Sequence, residues 1–185
     1  MQALVLIADG TEEMEAVIVI DVLRRAKWSV TVAAVGDTRA VTASRGVNLT
    51  ADTLFADTDP MEPDILILPG GAGGTEVFCK TPNVLDALRQ RQAAGRWIGA
   101  ICAAPLALQA AGILETHRFT CHPGVRDMAH TGTHTDDRVV TDANLITSQG
   151  PGTAFEFALA IIGQLESPAA AAAVSGGLIL PGAPS

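Results

Sequence analysis

The sequence predicts an α/β protein in which a mostly parallel sheet carries helices on both faces. Three observations support this: short runs rich in Val, Ile and Leu, helical periodicity between them, and glycine or proline punctuation where they end. The runs cover residues 3–8, 29–34, 64–68 and 96–101. They are apolar without alternation, as strands buried on both faces are.

Between the runs, residues 13–26 and 83–94 place apolar side chains at helical spacing with charged residues opposite. Thr81-Pro82 supplies an N-cap and N1 pair for the second helix. Residues 152–165 read as a further helix behind Gly150-Pro151-Gly152. Short antiparallel additions are expected over 45–50, and over 138–141 with 144–147 across Asp142-Ala143. The Ala-rich tail from Pro168, ending in Gly-Gly-Leu-Ile-Leu-Pro, reads as a last helix and strand or a partly ordered end. No repeat or linker interrupts the pattern, so a single domain over 1–185 is expected.

Composition narrows the function classes. The net charge of −8 leaves no general basic surface for nucleic acid, and without tyrosine and with 4% aromatics there is little to stack bases on. Hydrophobic residues reach 48%, but in runs too short to cross a bilayer, so no membrane partner is expected. The opening apolar run is broken by Asp9-Gly10 and has no basic leader. Together with an odd count of three cysteines, this points to a cytoplasmic protein with reduced thiols.

Chemistry concentrates at the ends of the predicted strands. Residues 97–101 run straight into Cys102 and then Ala103-Ala104-Pro105, a strand turning abruptly into a helix with small residues around the thiol. That is the pattern of a nucleophile elbow, and a helix N-terminus favours thiolate. A cysteine packed as a small apolar core residue fits the same local context. Leu68-Pro69-Gly70-Gly71-Ala72-Gly73-Gly74 crowds glycine at another strand end, where bare amides could meet an oxyanion together with the Ala103 amide. A phosphate loop is disfavoured because the Walker Lys and Ser/Thr are missing, and a plain glycine turn stays open. In Asp9-Gly10-Thr11-Glu12-Glu13-Met14-Glu15, Glu12 and Glu13 suit a solvated first helical turn, whereas Glu15 could face inward and carry a proton. His122, in Thr120-Cys121-His122-Pro123, could orient or deprotonate the thiol. His130 and His134 read as exposed loop residues, and their spacing with Cys121 matches no zinc pattern, so no metal is expected.

These residues resemble the ThiJ/PfpI superfamily, and within it the branch of the parkinsonism-associated protein DJ-one and its bacterial relatives. The resemblance rests on Gly10-Thr11-Glu12-Glu13-Met14-Glu15, Ser44-Arg45-Gly46-Val47, Leu68-Pro69-Gly70-Gly71, Ala100-Ile101-Cys102-Ala103-Ala104-Pro105 and residues 147–153, in order over nearly the whole chain. It implies a flavodoxin-like three-layer sandwich, a homodimer and a site of Glu15, Cys102 and His122, with the Gly70, Gly71 and Ala103 amides around the thiol. It also implies cofactor-free chemistry on a small aldehyde or a glycated substrate: a glyoxalase step from methylglyoxal to lactate, or deglycation of early adducts. The other implied role is a redox-sensing stress protein or chaperone whose cysteine is oxidised to sulfinic acid. Ala103 stands where peptidase-like members carry histidine, and no His-x-Glu follows Cys102 as in glutamine amidotransferases, which argues against both activities. Gln149 replaces an arginine of the animal relatives, and Cys79 and Cys121 have no assigned role.

Overall fold

The computed structural model describes residues 1–181. The chain runs β1 (Gln2–Ile7), α1 (Glu13–Arg25), β2 (Ser29–Ala34), β3 (Ala40–Thr42), β4 (Asn48–Thr50), β5 (Thr53–Leu54), β6 (Ile65–Leu68), α2 (Ala72–Lys80), α3 (Pro82–Ala93), β7 (Trp97–Ile101) and α4 (Pro105–Ala110). It continues through β8 (Arg118–Phe119), β9 (Thr133–His134), β10 (Val139–Asp142), β11 (Leu145–Ser148), α5 (Ala154–Leu165) and α6 (Pro168–Gly176). The main sheet has the order β10-β11-β7-β6-β1-β2-β5, parallel throughout except for β10 against β11. Numbered among themselves in chain order, the long parallel strands β1, β2, β6, β7 and β11 stand in the flavodoxin-like order 2-1-3-4-5. Ligands in such sheets gather where the order reverses, here between β1 and β6 at their carboxyl ends.

Alternation along each buried strand feeds two cores. Leu4, Leu6, Leu66 and Leu68 pack with Phe78 of α2, Val84 and Leu88 of α3 and Leu108 of α4. Their neighbours Ala3, Val5, Ile65 and Ile67 face the opposite way, onto Val19 and Leu23 of α1 and Phe157 and Ile161 of α5. This two-sided burial is why the strands read as unbroken apolar runs. On β7, Gly99 gives α5 its close approach, since a Cβ there would stand 3.0 Å from the Phe157 ring.

A buried cation closes the opposite end of the sheet. The Arg91 guanidinium donates to the carbonyls of Pro60 (2.6 Å), Pro63 (3.0 Å), Asp64 (2.9 Å) and Trp97 (2.9 and 3.1 Å). Burial lowers its pKa to about 10, well above neutrality, so it stays charged and ties the loop before β6 to α3 and β7.

The structure departs from the sequence expectations at several elements. Helix α2 grows out of the glycine run that had read as a turn. Over 45–50 only Asn48–Thr50 is strand, paired with β3, which gave no sequence signal. Thr81 begins α3, but its hydroxyl donates back to the Val77 carbonyl at 2.8 Å, closing α2 instead of capping α3. The helix expected over 152–165 opens with a short 3-10 turn at Pro151–Thr153. The tail forms α6, with no strand after it among the described residues, and residues 182–185 lie outside them. No helix among the described residues is long and apolar enough to cross a membrane.

Candidate active site

Glu15 occupies the first turn of α1, directly after β1. Glu12 is the N-cap, and its Oε2 accepts from the Glu15 amide at 2.8 Å, which fixes the turn. The Glu15 side chain is fully buried. Its Oε2 accepts from the Gly70 amide at 2.7 Å, while its buried Oε1 has no hydrogen-bond partner among the described residues. A Cβ at Gly70 would stand 2.5 Å from the Cys102 Cβ and 2.8 Å from the Glu15 Oε2, so the cysteine and the carboxyl lie side by side, and each acts on the acidity of the other.

Cys102 follows β7 in the left-handed region, with φ +66. A non-glycine residue there stores on the order of 1–3 kcal/mol of strain and persists only where its surroundings fix it. Two backbone bonds do so: the Cys102 amide donates to the Ser148 carbonyl at 2.9 Å, and the His122 amide donates to the Cys102 carbonyl at 2.9 Å. The amides of Gly71 and Ala103 face the sulfur. The side chain is buried but borders a pocket of about 290 Å³ lined by Glu12, Ser44, Arg45, Gly71, His122 and Val125, among others.

Electrostatics couple the two groups. Burial raises the Glu15 pKa to about 7, against the opposing pull of its bonds to Cys102 and Gly70. Burial, together with the charge of an ionised Glu15, pushes the thiol up to about 12, against the opposing pull of the Gly71 and Ala103 amides. The pair therefore holds a single proton across a broad range above neutral pH. Moving that proton from sulfur to Glu15 creates the thiolate beside a neutral acid, without placing two buried anions side by side.

The predicted site residues converge unequally. Cys102, Glu15, Gly71 and Ala103 meet around the sulfur. Gly70 is also there, but its amide is committed to Glu15, so it positions the carboxyl instead of standing free for an oxyanion. His122 lines the pocket without hydrogen-bonding the thiol. Its Nδ1 accepts from the Gly124 amide at 3.0 Å. Glu13, expected in solvent, is buried instead, and accepts from the Ser44 hydroxyl at 2.8 Å and the Arg45 amide at 2.9 Å. The nucleophile elbow drew notice from its small residues, whereas Ser44 and Arg45 entered only as a matching motif. Their clue was the buried acid opposite them, which spacing alone does not reveal. Cys79 and Cys121 pack against the core beside α2 and α4, and all three cysteines are free. His134 stacks edge-on against Phe119 instead of standing free in a loop.

A strained cysteine beside a buried carboxyl, at the switch point of a flavodoxin-like sheet, defines a class of α/β proteins built around a cysteine at a strand-to-helix elbow. The sequence pattern of the DJ-1/PfpI family matches residues 1–164, and the chain belongs to that family. It is 43% identical over 183 residues to the Parkinson disease protein 7 homolog of Danio rerio, covering 97% of each. It is 46% identical to Protein DJ-1 homolog B of Arabidopsis thaliana over 87% of this chain but only 37% of that protein. A Caenorhabditis elegans relative named glutathione-independent glyoxalase DJR-1.2 is 39% identical over 86% of both chains. The crystal structure of Drosophila melanogaster DJ-1beta superposes with a TM-score of 0.93 at 41% identity, over 97% of each chain.

Proposed function

We propose that this chain is a cofactor-independent glyoxalase-type enzyme, a cytoplasmic homodimer acting on methylglyoxal or early glycation adducts through Cys102. The observation that carries the reading is the fully buried Glu15 carboxyl next to Cys102, with one oxygen that has no hydrogen-bond partner among the described residues. The name of the nematode relative points the same way.

The chemistry follows from the arrangement. Glu15 accepts the thiol proton, and the thiolate attacks the aldehyde carbon C1 to give a hemithioacetal. The amides of Gly71 and Ala103 are the nearest donors for the oxyanion until Glu15 returns the proton to it. The restored carboxylate takes the proton from C1 and delivers it to C2, while the hydroxyl proton passes from O1 to O2, leaving a lactoyl thioester. Water cleaves the thioester to lactate and the free thiol. The sum is methylglyoxal plus water giving lactate, with no net oxidation.

The test is lactate formation from methylglyoxal by the purified protein. Cys102→Ala is expected to abolish it, and activity that persists in that variant would refute the reading.

The same amides and acid favour a second reading, a redox sensor. Two equivalents of hydrogen peroxide would take the thiol to a sulfinic acid with release of two waters, and Glu15 with the Gly71 and Ala103 amides would bind the new oxygens. Mass spectrometry after mild peroxide treatment is expected to find oxidation at Cys102 well ahead of Cys79 and Cys121. Equal oxidation of all three would count against it.

A further inference from the structure

The 43–47 turn between β3 and β4 is an unusual pocket wall, because a buried carboxylate fastens it. Ser44 and Arg45 on this turn line the pocket over Cys102. The turn is docked on the loop after β1 by the Ser44 amide, which donates to the Thr11 carbonyl at 2.8 Å, and Gly46 closes it with φ +83. Glu13 completes the attachment through the Ser44 hydroxyl and the Arg45 amide. Burial opposes ionisation of Glu13, but hydrogen bonds from its own amide, Ser44, Arg45 and Val47 prevail and hold its pKa below the usual range. The carboxylate is thus a fixed anion whose donors all come from this turn or its own helix start. The Arg45 guanidinium folds back on the Ser44 carbonyl at 3.3 Å and forms no ion pair among the described residues.

We propose that Glu13 is a positioning residue that holds Arg45 at the rim of the Cys102 pocket, biasing the site toward electrophiles that carry a negative charge. Glu12 also lines the pocket, with its Oε2 held on the Glu15 amide at the start of α1, whereas the Arg45 guanidinium is in no ion pair among the described residues. The inference rests on Cys102 being the reactive thiol of the proposed function.

The experiment compares alkylation of Cys102 by iodoacetate, an anion, and by neutral iodoacetamide in the full-length protein. Taking the ratio of the two rates cancels changes in thiolate content, which a purely structural role would alter in both alike. Removing a unit charge several ångströms from the reacting carbon in a wet pocket should lower the ratio about threefold. That fall is expected in Arg45→Ala and in Glu13→Ala, with no further fall in the double variant, because Glu13 acts through Arg45. Glu13→Gln keeps an oxygen for the Arg45 amide and should retain most of the wild-type ratio. If Glu13→Ala does not fold, Ser44→Ala takes its place, with a partial fall expected.

An unchanged ratio in these variants, or a double variant showing the product of the single effects, would overturn the assignment while leaving the reactive thiol intact. No alkylation of wild-type Cys102 by either reagent would overturn the reactive-thiol reading and this inference with it.

Discussion

Glu15 and Cys102 share one proton, and the pH dependence of the site follows from where it goes. Below about 7 the pair carries two protons, and a protonated Glu15 has no room for the one on sulfur. Above that value the first proton has left, and the carboxylate can take the thiol proton as the nucleophile forms. The second proton is held up to about 12, so no further change falls within the working range. The rate of lactate formation at low substrate should therefore rise through pH 7 to a plateau. Glu15→Gln, which cannot titrate, should lose the inflection and at least about a hundredfold in rate, the usual weight of a positioned general acid–base. An inflection that survives in Glu15→Gln would place the titration elsewhere. The strand-to-helix elbow at Cys102 left a local mark in the sequence, whereas the burial of Glu15 was only one of the readings open to an acidic helix start. The partners of His122 and Gly70 were not legible, because which donor meets which acceptor depends on the local turn at His122 and on a residue far off in sequence at Gly70. Gly124 takes the imidazole nitrogen and Glu15 takes the Gly70 amide.

Helix α2 shows what the glycine run does. Gly71, with φ +89, begins the helix where an added Cβ would stand 2.2 Å from the Gly10 carbonyl oxygen and 2.5 Å from the Glu12 nitrogen. Further on, a Cβ at Gly74 would come within 2.6 Å of the Thr11 hydroxyl. The helix start thus packs backbone to backbone on the β1–α1 turn, and that contact brings the Gly71 amide to the sulfur. Propensity scored these glycines as a break because it weighs conformational freedom and not the close approach that only glycine allows. Gly71→Ala combines a left-handed φ with collision against backbone that cannot yield, and should cost about 3 kcal/mol or more in chemical denaturation. Gly95→Ala is the control, since Gly95 also has a positive φ, +65, but open space around its Cβ position. It should cost only about 1 kcal/mol, the conformational penalty alone. Equal losses in the two variants would show that packing at Gly71 contributes nothing. The parallel strands were legible because both faces are buried, while β3 was not, being a three-residue strand fixed by the turn that Glu13 holds.

Some large apolar side chains near the start of α1 have no covering among the described residues. Met14 and Val17 stand a helical turn apart on α1 and are 54% and 49% exposed, and Val47, on the turn fastened to Glu13, is 47% exposed. The backbone of Val47 faces the Glu13 carboxylate, which ties the turn to the start of α1. A charge of −8 keeps the molecules apart over long range, but a second copy would remove these side chains from water at short range. A homodimer of the kind proposed above is expected to bury this face in a two-fold, self-complementary contact. Sedimentation velocity should give a dimer near twice 19.1 kDa. Val17→Asp buries an unpaired charge on both sides of such an interface, and should shift the species to monomer at micromolar concentration. Because these side chains adjoin the Arg45 turn, the monomer should also react differently at Cys102, with a lower iodoacetate-to-iodoacetamide ratio if the partner helps hold the turn in place. A Val17→Asp protein that still sediments as a dimer would place the interface on another face and separate the pocket wall from assembly.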